Sequence, residues 1–297
     1  MAGASRRGGV GQGEALAAWC LWALMAAAVL ATYARVEPFE LYHVSREGLA
    51  GGASRALVLA NFPISLVAIA LVLIAAAALP RRAWWLAAPA IALCAVTAWP
   101  GVVDQGDLDA RPVNVLPALG VALALVLTVA AVRRAGPGFA PPLPGDAVRL
   151  VLAVIVLVAS LPWLSAELGY HLPGDVFLGE EVPAGETLAA VHLGHHHGTD
   201  GALLLLTALF LSRVRPAGAL RPWLTGYVGL MAAYGAVNAT QDLWTEQVFK
   251  RGWVAWRIPS ALEPRLEAVW IAVLLLAVGA AALIHVEQRR GRPALPA

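Results

Sequence analysis

Four of the chain's seven histidines, His192, His195, His196 and His197, fall within six residues, and Asp200 follows one helical turn after His196. Residues four apart share a helix face, so His192, His196 and Asp200 form one stripe, with His195 beside it. Two imidazoles at that spacing can share a metal ion. Asp200 then serves as a further ligand, or orients His196 through its other ring nitrogen. His197 faces away from the stripe. Imidazole with carboxylate suits Fe, Cu or Zn, so the expected metal ligands are His192, His195, His196 and Asp200. A second stripe, Asn238, Asp242 and Glu246, repeats the four-residue step, and Tyr234 extends it. These three are the expected catalytic residues. They would supply a further ligand, a general base and a substrate contact, or would hold Mg²⁺ through oxygen. The plainer alternatives are a histidine-rich helix end that binds metal adventitiously, and a solvated helix end for the second stripe.

The string His192-Leu193-Gly194-His195-His196 resembles one H-x-x-H-H box of the membrane di-iron desaturases and hydroxylases, whose boxes jointly bind two irons. Outside the cluster this chain has only His43, His171 and His285. The spacing of Asn238, Asp242 and Glu246 resembles the N-x-x-x-D-x-x-x-D motif of UbiA-type prenyltransferases, with Glu246 at the last position. It is also similar to the N-x-x-x-S/T-x-x-x-E triad of terpene synthases, with Asp242 at the hydroxyl position. Either resemblance implies a prenyl diphosphate held through Mg²⁺ by these three residues. No second aspartate-rich motif accompanies them.

The elements that must position these groups are membrane helices. The chain is 60% hydrophobic and 13% charged, with a mean hydropathy of +0.71, where a soluble domain carries about a quarter charged residues. Long Ala/Leu/Val runs, rather than alternating strands of a barrel, predict an all-α, polytopic bundle. The apolar run 201–211 is too short to cross alone, since a crossing needs about 20 residues. A crossing helix must therefore begin near Leu188, which draws the histidines and Asp200 to membrane depth. Ionisable groups there are functional candidates. Gly194, Gly198 and Gly201 either admit a close neighbouring helix or unwind the segment locally.

Eight spans are expected, at 15–34, 56–79, 83–99, 113–132, 148–164, 188–211, 222–243 and 262–285. Residues 1–14 and 286–297 are read as cytoplasmic tails around one transmembrane domain, 15–285, in the cell membrane. Pro80, Pro100, Pro112 and Pro222 fall at span ends, where a missing N–H costs least. Pro63 and Pro162 sit just inside spans. With the N-terminus inside, thirteen of the 21 basic residues lie on inner segments, as the positive-inside bias requires. Those segments hold only three acids, Glu14, Asp146 and Glu287.

Cys20 and Cys94 lie in apolar runs and read as small buried hydrophobes. Asn61 reads as a helix–helix hydrogen bond. The polar candidates gather in the outer half: the two stripes, Asn61, Glu167, and Glu40, Tyr42 and His43 in the first outer loop. The inner half shows almost no polar membrane residue, which speaks against a transport path. Glycine patterns for nucleotide binding and a G-x-S-x-G elbow are lacking, and nucleic acid is not an expected partner. The expected function is a membrane metalloenzyme, oxidoreductase in type, acting on a lipid or hydrophobic small molecule. The alternatives are a membrane metal-ion binding or transport protein, and an Mg²⁺-dependent prenyl-diphosphate enzyme.

Overall fold

The computed structural model describes residues 11–33, 52–103, 110–167, 195–216, 218–261 and 267–290, and side chains at most of these positions. Every regular element among them is helical. In chain order these are α1 (Gln12–Tyr33), α2 (Gly52–Ala78), α3 (Trp84–Ala95), α4 (Val115–Ala135) and α5 (Asp146–Ala159). Then come α6 (Leu161–Glu167), α7 (His195–Leu211), α8 (Leu220–Trp244) and α9 (Val269–Arg290).

Four segments are long and apolar enough to cross a membrane: Gln12–Thr32, Asn61–Ala78, Pro112–Ala135 and Val269–Arg289. The other expected spans take different forms. The third becomes the 12-residue α3 between 3-10 turns at Arg81–Ala83 and Val96–Ala98. The fifth breaks after Ala159, and Pro162 falls in the first turn of the new helix α6, where proline is tolerated. The seventh is α8, whose 25 residues reach about 37 Å. It carries buried Asn238, Gln241 and Asp242 along its second half. The stretch 188–194 lies outside the described residues, so α7 is seen only from His195 onward.

Helices α7 and α8 pack along their length; α9 lies on α8, and α5 and α6 on α7. Helices α2, α3 and α4 form a second group, joined to the first through α1 and α2. The core between the groups is apolar and tight: Leu71, Ile74, Leu204, Leu211 and Leu224 are fully buried. Small residues bring α3 and α4 together, because a Cβ on Gly120 would lie 2.6 Å from the Cys94 backbone nitrogen. Several polar groups inside the bundle are bonded across helices. Trp19 Nε1 donates to Thr128 Oγ1 at 3.1 Å, Trp22 Nε1 to Thr207 Oγ1 at 3.1 Å, and the Tyr227 hydroxyl to the Leu66 carbonyl at 2.7 Å. Asn61 is the helix–helix link expected of it, donating to the Asn114 carbonyl at 3.0 Å while accepting from Ser65. Cys94 is buried, but Cys20 is exposed on α1. An apolar run gives no periodicity by which to tell its inward face from its outward one.

One end of the bundle gathers the arginines and holds an ion network that the sequence did not reveal. Glu14, 1% exposed, accepts from the Ala140 amide at 2.9 Å and meets Arg213 Nη1 at 3.2 Å. Arg213 also reaches Asp146 at 3.1 Å. Arg149 grips Glu287 with both terminal nitrogens and donates to Ser212 Oγ at 2.8 Å. Gln288 accepts from Arg221 and donates to the Ser212 and Val214 carbonyls. The starts of α1, α5 and α8 and the ends of α7 and α9 are thereby tied together.

Candidate functional site

The opposite end of the α7–α8 pair holds the polar residues singled out from the sequence. Two glycines set its geometry. A Cβ on Gly201 would stand 2.7 Å from the Ala239 nitrogen and 2.8 Å from the Gly235 carbonyl; one on Gly235 would stand 2.7 Å from the Gly201 carbonyl. The helices therefore touch backbone to backbone, and α7 runs unbroken through Gly198 and Gly201. Of the two roles open to these glycines, close approach is the one the structure displays. Gly194 lies outside the described residues.

The Asp242 carboxylate lies just beyond this crossing. The Asp242 side chain, 3% exposed, accepts from the Gly198 amide and lies within electrostatic reach of Asp200, Glu246 and Lys250. A Cβ on Gly198 would come 2.5 Å from Asp242 Oδ2 and would strike the Trp163 indole of α6. One glycine thus admits both a carboxylate and an indole to the face of α7. Tyr234 hydrogen-bonds Asn238, senses the charge of Asp200, and stacks on Trp270 of α9 with ring centroids 5.7 Å apart. Helices α6, α7, α8 and α9 all contribute a wall.

After Trp244 the helix widens into a π turn, Thr245–Phe249, closed by the Lys250 amide on the Thr245 carbonyl at 3.0 Å. Such turns are frequent at functional sites. Glu246 is the second residue of this turn. Its carboxylate is buried and bonds Lys250 Nζ at 2.9 Å.

Several buried polar atoms here lack a hydrogen-bond partner among the described residues: Asn238 Oδ1, Asp242 Oδ2, Gln241 Oε1, Thr199 Oγ1, Trp163 Nε1 and Gln247 Nε2. Each such atom costs free energy unless something outside the protein bonds it. Asp242 thus feels two further carboxylates, Asp200 and Glu246, against one ammonium, Lys250. Repulsion of that kind, away from water, calls for a cation or for protons.

Of the expected metal ligands, Asp200 is placed in this cluster. His195 and His196 open α7, though their side chains are not described, and His192 lies outside the described residues. His197, expected to face away, is partly buried at the same turn. Among the described residues no three His, Cys, Asp or Glu side chains converge on a single ion. All three expected catalytic residues, Asn238, Asp242 and Glu246, are buried at the site. Glu40, Tyr42, His43 and His171 lie outside the described residues, and the side chain of Glu167 is not described. Trp163, Thr199, Gln241 and the Glu246–Lys250 pair were missed. Trp163 and Lys250 read as interfacial, and the π turn leaves no pattern in the residues. Compared with known protein families, curated proteins and solved structures, the chain has no match.

Proposed function

We propose that this chain is an integral membrane metalloenzyme, an oxidoreductase acting on a lipid or another hydrophobic small molecule. In this reading eight helices cross the cell membrane, both termini are cytoplasmic, and the arginine end faces the cytoplasm. The gathering of arginines at one end supports that orientation. The metal, Fe, Cu or Zn, is held by His192, His195, His196 and Asp200, and imidazole with carboxylate is the donor set such ions take. Asp242, on the facing helix, acts as general base or completes the coordination. Asn238 presents its orphaned carbonyl oxygen to the substrate, and Glu246 with Lys250 balances the charge.

The observation that carries the proposal is the buried Asp242 carboxylate, within electrostatic reach of Asp200 and Glu246, with Asp242 Oδ2 and Asn238 Oδ1 lacking a hydrogen-bond partner among the described residues. A divalent cation meets both requirements at once. Below the site the α2–α7–α8 core is filled by Leu71, Ile74, Leu204 and Leu211, which favours a blind pocket over a path for metal ions across the bilayer. The test is elemental analysis of protein purified without a nickel column. The expected result is one transition metal ion per chain, lost in His192→Ala and His196→Ala and reduced in Asp242→Asn. Metal-free wild-type protein, or metal unchanged in all three variants, overturns the proposal.

The Mg²⁺-dependent prenyl-diphosphate reading draws on the same buried Asn238 and Asp242, which are oxygen donors. It predicts Mg²⁺-dependent binding of a prenyl diphosphate, abolished by Asp242→Asn and indifferent to His196→Ala.

A further inference from the structure

The charge ledger of the arginine end leaves part of it uncompensated. Its three acids, Glu14, Asp146 and Glu287, are taken up by Arg149 and Arg213. Arg81 and Arg82 at the start of α3, and Arg133 and Arg134 at the end of α4, are exposed and form no ion pair among the described residues. Beside the second pair a shallow, largely open groove of about 650 Å³ runs along the exposed face of α4, lined by Leu125, Val126, Val129, Ala130, Arg133 and Arg134. Positions 125, 129, 133 and 126, 130, 134 are two adjacent stripes on one helix face. Each therefore runs from apolar side chains to a guanidinium at the very end of the span Pro112–Ala135.

We propose that this depression binds one anionic phospholipid. The shape is that of a lipid: two cationic forks at headgroup level, with an apolar wall below for an acyl chain. Guanidinium pairs phosphate bidentately, and two such groups with no carboxylate paired to them among the described residues favour a headgroup of net negative charge over a zwitterion. A nucleic acid or an acidic protein would satisfy the arginines but leave Leu125, Val126 and Val129 in contact with nothing apolar. The proposal rests on the membrane placement of the chain and is independent of the metal chemistry.

The test is native mass spectrometry of the full chain in neutral detergent. It is titrated with dioleoyl phosphatidylglycerol or dioleoyl phosphatidylcholine, with inorganic phosphate as competitor. Phosphatidylglycerol should bind the more tightly. Arg133→Gln/Arg134→Gln should weaken it roughly thirty-fold, two surface arginines acting together, and should leave phosphatidylcholine unchanged. Arg133→Lys/Arg134→Lys should retain most of the preference. Val129→Trp, at an exposed position, should fill the hollow and weaken phosphatidylglycerol with both charges intact. Equal binding of the two lipids overturns the proposal, as does full phosphatidylglycerol affinity in the glutamine variant. Displacement by inorganic phosphate alone would show a free-anion site and also overturn it. Should the glutamine variant fail to fold, the wild-type protein decides: affinity for phosphatidylglycerol undiminished by high salt refutes the pairing. Metal content enters none of these readouts, so a failed metal analysis and a failed lipid titration are distinguishable.

Discussion

Replacing Gly201 by alanine tests whether the α7–α8 contact positions the site. The added Cβ would meet the Ala239 nitrogen at 2.7 Å and the Gly235 carbonyl at 2.8 Å, against an ordinary contact of about 3.5 Å or more. Both obstacles are backbone, so no rotamer change relieves them, and the helices must part by roughly 0.7 Å, the difference between those distances. Overpacking of this kind costs up to about 3 kcal/mol. Alanine's better helix propensity offsets about 1 kcal/mol, for a net loss near 2 kcal/mol. Asp200 and Asp242 stand on opposite sides of the widened gap, so the variant should also retain less metal. Gly226 and Gly279 are the controls: a Cβ at either meets nothing within 4 Å. Alanine there should leave stability unchanged or raise it by up to about 1 kcal/mol. The assay is thermal unfolding of the three variants in one detergent, with elemental analysis alongside. Gly201→Ala melting at or above the two controls, with wild-type metal content, would refute the close-contact argument.

Two further predictions concern the polar links that hold the bundle. In a double-mutant cycle on Arg149 and Glu287, a bidentate pair shielded from most solvent, each alanine substitution should destabilise the fold. The double variant should lose less than the sum, with a coupling of about 1–3 kcal/mol; additive losses in thermal or denaturant unfolding would count against the pair as a clamp. Asn61→Ala removes two buried hydrogen bonds and leaves the Asn114 carbonyl without that donor. A loss of about 1–3 kcal/mol is expected, and an unchanged melting temperature would argue that α2 and α4 are held by apolar packing alone.

The parts of the site that could be read from residues are those that obey a single helical period. Asp242 and Asn238 share a face of α8, and Asp200 shares one of α7. With both helices fixed by their apolar runs, their meeting follows from antiparallel packing. Glu246, expected on the same stripe, is buried near Asp242, and its bond to Lys250, four residues on, was not foreseen. Trp163 was missed as well. Its seat over Gly198 depends on the break after Ala159, which turns α6 back onto α7. The arginine-end network was harder still. Glu14 and Arg213, or Arg149 and Glu287, are far apart along the chain, and nothing local distinguishes them from loop charges. The seventh span is less apolar than the four long ones because Arg221, Pro222, Gly226, Tyr227 and Gly229 in its first half, as well as Asn238, Gln241 and Asp242 in its second, dilute its apolar character.

One rod, α7, joins the two polar ends of the molecule. It brings Asp200 to the carboxylate cluster and, thirteen residues on, hands Arg213 to the ion network, a separation of about 20 Å along the axis. Seated against Gly235 without a side chain between and packed along its length on α8, it holds the carboxylate cluster and the arginine network at the two ends of one continuous helix.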